Sequence, residues 1–473
     1  MVSLFSFSRG KRKNMQKFFT RGAWVFFFAL FAQSAVASLP ESVTNVLTQK
    51  GLDASRLAVL VKDGDRVVFA SNETRPMRIA STAKIVTTLA ALDILSPAYT
   101  WKTAFYTASG TQTRSSTLTN LYIKGGLDPH YVYEDLVKDV LRLKSMGVTK
   151  ISGQIVIDRA KHAKESAPSN STRSYNLTAD AALFNFNSVV LRISPRPDKS
   201  SALIAPEIAL EGFSAPKSVP MRQGFCPAWR QTLKSDFSNP LRPIFRGFFP
   251  SSCSERVLTY AVTQENALWS AGIRAVLKDF GIRFSGKVVS GTVPKNARFL
   301  FTHEGFDVAH MVRLTNKFSN NMLARHLFLT IGAPEENVPA TYAKSRAKLQ
   351  AWLMQKGIRE PIVIENGSGL SDKTRATPEA MSRVLELGLN SPFSYEWISS
   401  FPIAGVDGTM KSRPVAGGTA HIKTGQLDDV RSIAGVVQTQ SGKTLTVFAA
   451  YNGPKAAEAV AALDALLAAC ARY

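Results

Sequence analysis

The chain has 473 residues, with 58 basic against 35 acidic side chains and a formal net charge of +23. With 45% hydrophobic and 20% charged residues it has the make-up of a folded protein, which excludes the disordered class, and its length exceeds one ordinary core, so two or three domains are expected. The positive balance favours anionic partners, yet beyond residue 37 it forms no dense Lys/Arg run, zinc-finger spacing or base-stacking motif, which argues against nucleic acid. An exported protein near an acidic cell-wall polymer fits this spread charge, and so does a basic solubilising surface.

Residues 1–37 stand apart. Arg9, Lys11, Arg12, Lys13, Lys17 and Arg21 form a basic start without acids, followed by the apolar run 23–32 and the small-residue site Ala35-Val36-Ala37. This is the pattern of a secretory signal peptide cut after Ala37, with an uncleaved anchor as the alternative. Removing it lowers the net charge to +17. A short helix is expected over 41–52, then strands over 57–61 and 66–70 joined by Asp63-Gly64-Asp65, a hairpin signal. A helix buried nearly all round follows Pro76 and runs to about Leu95, where Ser96-Pro97 stops it.

From about Thr100 the texture changes to strands and polar turns. Strands are expected over 117–123, 151–157 and 188–193, with an amphipathic helix over 131–146 and a polar loop over 163–177. The Pro-, Gly- and Ser-rich segment 213–253 holds Cys226 and Cys253, which are expected to pair in an oxidising compartment. Closing that 27-residue interval stabilises by about 3.5 kcal/mol in the chain-entropy picture. Cys470 sits on an Ala/Leu-rich terminal helix and is expected to be a buried free thiol. Neither the cysteines nor the six histidines show metal spacing, so no metal is expected.

Helices resume near 258, over 264–281, 310–318, 322–330, 340–357 and 377–389, and the chain closes with strands over 421–425, 433–439 and 444–451 and a helix at about 455–472. A hairpin and helix in front with three strands and a helix behind read as one domain, 38–98 plus 258–473. It is interrupted by an insertion at 99–257.

Three motifs carry chemistry. Ser81 and Lys84 lie three apart on a helix, within reach of each other. A serine hydroxyl attacks only when a base takes its proton, and Lys84 is such a base only if its pKa falls by several units. Burial, the positive helix end and a second cation each push it down. Ser319-Asn320-Asn321 occupies a turn between two helices, with a rival in Ser174-Tyr175-Asn176. Lys423-Thr424-Gly425 lies on a strand. Each motif alone is weak (Ser8-Arg9-Gly10-Lys11 also matches the first), but in this order and on these elements they are specific.

At these residues the sequence resembles the serine penicillin-recognising enzymes, and more narrowly the D-alanyl-D-alanine carboxypeptidase/endopeptidase family, the class C low-molecular-mass penicillin-binding proteins. The resemblance spans the mature chain and includes Phe184-Asn185-Phe186-Asn187, Asn316 to Asn321, Asn366 to Ser371 and Phe401 to Thr409. It implies an α/β (α+β) fold: a β-lactamase/transpeptidase-like domain whose central antiparallel sheet is flanked by helices and interrupted by β-rich small domains. Two such domains would fill the insertion, one nested in the other at about 130–200. It further implies an exported, periplasmic, cofactor-free hydrolase acting on peptidoglycan stem peptides as carboxypeptidase, endopeptidase or both, with β-lactams as covalent inhibitors. A homodimer or association with other cell-wall enzymes stays open.

The residue roles implied are Ser81 as nucleophile, Lys84 as base, Ser319 as proton relay and Asn321 as the group orienting the substrate amide. Lys423 supplies positive charge, Thr424 holds the terminal carboxylate, and the backbone N–H groups of Ser81 and Gln426 form the oxyanion hole after Gly425. Gln426 departs from the family, which has Thr or Ser there, and Asp428 and Asp429 could repel an acidic substrate. Asp407-Gly408 reads as a structural turn, and Asn366 to Gly369 as a tight loop beside the cleft. A β-lactamase and a non-catalytic wall-binding protein are the alternative functions.

Overall fold

The computed structural model describes residues 38–111, 116–162 and 177–473. The expected leader at 1–37 and the rival element Ser174-Tyr175-Asn176 lie outside the described residues. No described helix is long and apolar enough to cross a membrane.

Five strands form one antiparallel sheet in the order Arg66–Ser71, Leu57–Asp63, Thr444–Asn452, Val430–Gln438, Ala420–Leu427. The front hairpin is thereby stitched to the strands at the end of the chain. Along Thr444–Asn452, Leu445, Val447, Ala449 and Tyr451 pack on one face with Val43 and Leu47 of the first helix (Glu41–Gln49) and Leu463 and Leu467 of the last (Val460–Arg472). Phe448 and Ala450 face the other way, into the core around the helix Ala83–Leu95. Burial on both faces explains the nearly continuous apolar runs of these strands.

The Ser81 helix starts later than the sequence predicts. Met77–Arg78 pairs with Arg375–Ala376 as a short strand, a 3₁₀ turn spans Ala80–Thr82, and only then does Ala83–Leu95 begin. The side chain of Asn452 accounts for the delay, because its Oδ1 accepts from Arg78 N (2.7 Å) and its Nδ2 donates to Arg78 O (2.9 Å). The backbone is held extended there, and Ala80 turns with a φ of 46°.

Strand pairing crosses the expected domain boundary. Arg298–Asp307 pairs along Thr100–Thr107 within a sheet ordered Val288–Ser290, Ile155–Asp158, Leu121–Lys124, Thr100–Thr107, Arg298–Asp307. The helix Ala267–Asp279 packs Trp269 onto Phe184 at 4.7 Å within the inserted core. Residues 258–307, expected in the outer domain, thus supply strands and core side chains that pack with those of 99–257. Within it, a separate five-stranded sheet uses strands between Ser188 and Ala261, later in the chain than the expected inner segment 130–200.

Two expected strands are each broken in two. Thr117–Leu118 and Leu121–Lys124 join different sheets, as do Lys150–Ile151 and Ile155–Asp158. The two breaks dock on each other: Asn120 Oδ1 accepts from Gln154 N at 2.7 Å, and a Cβ on Gly153 would lie 2.2 Å from that oxygen. Only glycine tolerates so close an approach. Cys226 and Cys253 form the expected disulfide inside the insertion. Cys470 is a buried free thiol, which burial pushes up to about 12.

Candidate active site

Ser81 sits in the middle of the 3₁₀ turn, at the head of the buried helix. The Ile79 carbonyl fixes that turn by accepting from Thr82 Oγ1 (2.6 Å) and Ser432 Oγ (2.7 Å). Two glycines let neighbouring chain close on it. A Cβ on Gly425 would lie 2.2 Å from Ser432 Oγ and 3.0 Å from Ser81 N, and one on Gly369, whose φ is +84°, would lie 1.9 Å from Ala80 O. The Lys423-Thr424-Gly425 strand and the Asn366 to Gly369 loop thus grip the turn from two sides.

Lys84 is completely buried, and its Nζ meets Ser81 Oγ at 2.9 Å, Asn321 Oδ1 at 2.7 Å and Ser368 O at 2.6 Å. Two of these partners are carbonyl oxygens that can only accept. A neutral amine has two N–H donors and one lone pair, so donating to Asn321 and Ser368 turns the lone pair toward the Ser81 hydroxyl. Burial, then the cations of Lys423 and Arg325, hold Lys84 well below the ordinary lysine range. The loop Asn366 to Gly369 is therefore more than a neighbour of the cleft. Its Ser368 carbonyl orients Lys84, a contribution invisible to residue-type reasoning because every residue has a carbonyl.

Ser319 follows the helix Val308–Lys317 and has a φ of 55°. Its hydroxyl accepts from Lys423 Nζ at 2.9 Å, and Lys423 also donates to Thr424 O at 2.7 Å. Lys423 is fully buried, and burial lowers it to about 7. Asn320 and Asn321 divide their labour. The Asn320 side chain caps the helix Asn321–Gly332 by accepting from Met322 N and Leu323 N, while that of Asn321 reaches Lys84. Asp407 acts structurally, as read from the sequence: it accepts from Lys317 Nζ and Ile403 N, at 2.6 and 2.8 Å, anchoring the end of the helix before Ser319.

Ser81, Ser319, Asn321, Thr424, Gly425 and Gln426 line one cleft of about 770 Å³, with Lys84 and Lys423 buried beside it. Thr424 and Gln426 share a face of the edge strand Ala420–Leu427. Sequence reasoning did not single out two features here. Thr409 Oγ1 lies 2.8 Å from Thr424 Oγ1, adding a second hydroxyl. Arg78 Nη1 donates to both carboxylate oxygens of Asp429 at 2.8 and 2.7 Å, and its Nη2 to Asp372 Oδ1 at 2.5 Å. The expected repulsion from Asp429 is thus reduced but not removed, since the one guanidinium is shared between two carboxylates. No signal for Arg78 exists in the sequence, where its two partners lie about 300 and 350 positions away.

The family model described as D-Ala-D-Ala carboxypeptidase 3 (S13) matches residues 39–472. The D-alanyl-D-alanine carboxypeptidase DacB of Haemophilus influenzae is 24% identical over 423 residues, covering 86% of this chain and 87% of that protein. The structure of penicillin binding protein 4 from the same organism superposes with a TM-score of 0.75 at 23% identity, over 91% of this chain and 99% of that one. Its complex with a β-lactam gives a TM-score of 0.70 at 23% identity, over 91% and 100%. These structures show a shared fold. With a model match across nearly all of the chain, the protein belongs to the D-Ala-D-Ala carboxypeptidase 3 (S13) family and is a serine peptidase, a hydrolase.

Proposed function

We propose that the protein is an exported, periplasmic DD-peptidase that hydrolyses D-alanyl bonds of peptidoglycan stems or cross-links through an acyl-enzyme, and that β-lactams block it by acylating the same serine. The observation that carries this reading is the buried Lys84 amine, whose Nζ lies 2.9 Å from Ser81 Oγ while two carbonyl oxygens, of Asn321 and Ser368, accept from it. Ser81 Oγ attacks the penultimate D-Ala carbonyl while Lys84 takes its proton. The oxyanion rests on the backbone N–H groups of Ser81 and Gln426. Ser319 gives its proton to the departing amine as the C–N bond breaks, and takes one back from Lys423, whose Nζ already donates to it. Water then splits the Ser81 ester and releases the shortened peptide. Thr424, with Thr409 beside it, receives the terminal carboxylate.

Incubation with purified pentapeptide muropeptides and cross-linked dimers, followed by mass measurement, tests the reading. The expected products are tetrapeptides lacking one D-Ala, or monomers from dimers. Unchanged masses for both substrates would overturn it.

Gln426→Thr probes the departure at the fourth motif position. It places a hydroxyl on the face that carries Thr424, and one hydrogen bond to a carboxylate contributes about 1.5–3 kcal/mol. Because Thr409 already supplies a second hydroxyl, the expected gain in kcat/KM for release of the terminal D-Ala is at the lower end, about tenfold. Steady-state kinetics on a pentapeptide give the answer, and an unchanged or lower value sinks the idea.

A further inference from the structure

The catalytic cleft has a neighbour. A second cavity, also about 770 Å³, opens at Phe318-Ser319-Asn320-Asn321 and extends over the inserted lobe. It shares Ser319 and Asn321 with the cleft but is lined by neither Ser81 nor the edge strand of the sheet.

Its far wall is built around Phe184-Asn185-Phe186-Asn187, a motif the chemistry above leaves unused. Asn185, Phe186 and Asn187 have φ of 48°, 55° and 46°, three successive left-handed residues without a glycine among them. An aromatic residue in that conformation is rare and persists only where its surroundings over-determine it. They do so here: Asn185 N donates to Tyr131 O (2.9 Å), Asn185 Nδ2 to Ser188 O (3.1 Å) and Ser188 Oγ to Phe186 O (3.0 Å), while Phe184 is clamped on Trp269. The result is a rigid turn that presents Asn185 and Phe186 to the cavity. At the mouth stands Phe318, 66% exposed and adjacent to Ser319. Charges of both signs complete the lining, with Glu134 in the first turn of the helix Tyr133–Ser145 and Arg192 held between Glu207 at 2.7 Å and Glu255 at 2.5 Å.

We propose that this cavity is the subsite for the departing peptide when a cross-linked stem dimer is hydrolysed. The inference rests on the DD-peptidase reading above. In that reaction the acyl half becomes bonded to Ser81 Oγ, the C–N bond breaks, and the amine leaves with the proton supplied by Ser319. The first residue of the leaving half is held by its carboxylate at Thr424 with its nitrogen at Ser319, and the rest of its chain continues past Ser319, where this cavity begins. A single departing alanine fills only a small part of it. The leaving half of a cross-link is a branched peptide with ammonium and carboxylate groups, matched by apolar walls carrying Glu134, Glu207 and Arg192. The insertion thus selects for cross-links, while the cleft alone suffices for a terminal D-Ala.

The test uses the full mature chain and two surface variants, Ala205→Trp and Arg192→Glu. Ala205 is exposed, lines the cavity and is the cross-strand partner of Arg192, so tryptophan there obstructs the space without entering a core. Three rates are compared: hydrolysis of a purified cross-linked muropeptide dimer, release of D-Ala from a monomeric pentapeptide, and labelling by a fluorescent penicillin. The expected result for Ala205→Trp is a fall of about tenfold or more in kcat/KM for the dimer, with the other two rates within about twofold of wild type. Arg192→Glu is expected to shift the dimer alone in the same direction. Dimer turnover that is unchanged in both variants, or that falls in step with the pentapeptide, overturns the subsite. A wild-type protein that cleaves pentapeptide but never the dimer overturns it too, leaving the peptidase reading intact. Failure of the wild type on both peptides removes that reading instead.

Discussion

Ser81→Ala is expected to abolish labelling by a fluorescent penicillin, with the acylation rate falling by at least about 10⁴-fold, while the protein stays folded. The hydroxyl removed makes its hydrogen bond to Lys84 Nζ, and the turn that carries it is fixed by other groups: the Ile79 carbonyl, Thr82, Ser432 and the close approach of Gly425. Alanine suits the head of a helix at least as well as serine, so stability should change by no more than about 1 kcal/mol. Lys84 keeps Asn321 and Ser368 as acceptors, so its buried nitrogen is not stranded. Gel fluorescence after penicillin treatment, beside a thermal melt, reads both halves of the expectation. Retained labelling in a folded variant would falsify the assignment of the nucleophile.

Lys84→Arg should be nearly as damaging for a different reason. Guanidinium does not give up its proton in any accessible pH range, so it cannot receive the one from Ser81. Its planar fork is also larger than the ammonium now enclosed by Ser81, Asn321 and Ser368. The expected loss in acylation rate is about 10³-fold or more, and acylation within tenfold of wild type would move the base role to Lys423 acting through Ser319. The pH profile adds a second readout. The base must be neutral, and burial with two nearby cations lowers the pKa of Lys84, so the reactive form persists to lower pH than an ordinary lysine allows. Below that depressed pKa, wild-type acylation should fall by about tenfold per pH unit, whereas the residual rate of the arginine variant should lack this step.

The buried pair of lysines also shows why the surrounding loops are so tightly specified. Breaking one contact of a buried polar group costs about 1–3 kcal/mol when the partner is left unsatisfied. Lys84 and Lys423 are each enclosed by hydrogen-bond partners drawn from separate parts of the chain, Asn321 and Ser368 for one and Ser319 for the other. Glycines at 369 and 425 matter for the same reason, since a single methyl at either would force the neighbouring segments away from the turn that carries Ser81.

That Ser81, Lys84, Ser319, Asn321 and Lys423 carry the proposed chemistry was readable as an expectation in the sequence because it rests on side-chain type and short spacing, and the structure brings these side chains together. Ser81 and Lys84 share a helix face, Ser319 and Asn321 share one turn, and Lys423 and Thr424 share a strand. The disulfide was legible from the Pro-, Gly- and Ser-rich stretch holding both cysteines with an expected oxidising compartment, and the strands of the main sheet from their apolar runs. Tertiary structure alone determined what distant segments do to one another. Strand pairing between Thr100–Thr107 and Arg298–Asp307 joined residues expected in separate domains, because a hydrogen-bonded ladder leaves no mark on the local hydrophobic period. Asn452 delayed the helix at Ser81 by capturing the Arg78 backbone from the far end of the chain. The Ser368 carbonyl that aims Lys84 and the Arg78 pairing that partly offsets Asp429 follow the same rule. Residue identity carries the capacity for chemistry, but burial, backbone acceptors and charge partners come from the packing of remote segments, and burial with nearby cations is what lowers Lys84 below the ordinary lysine range.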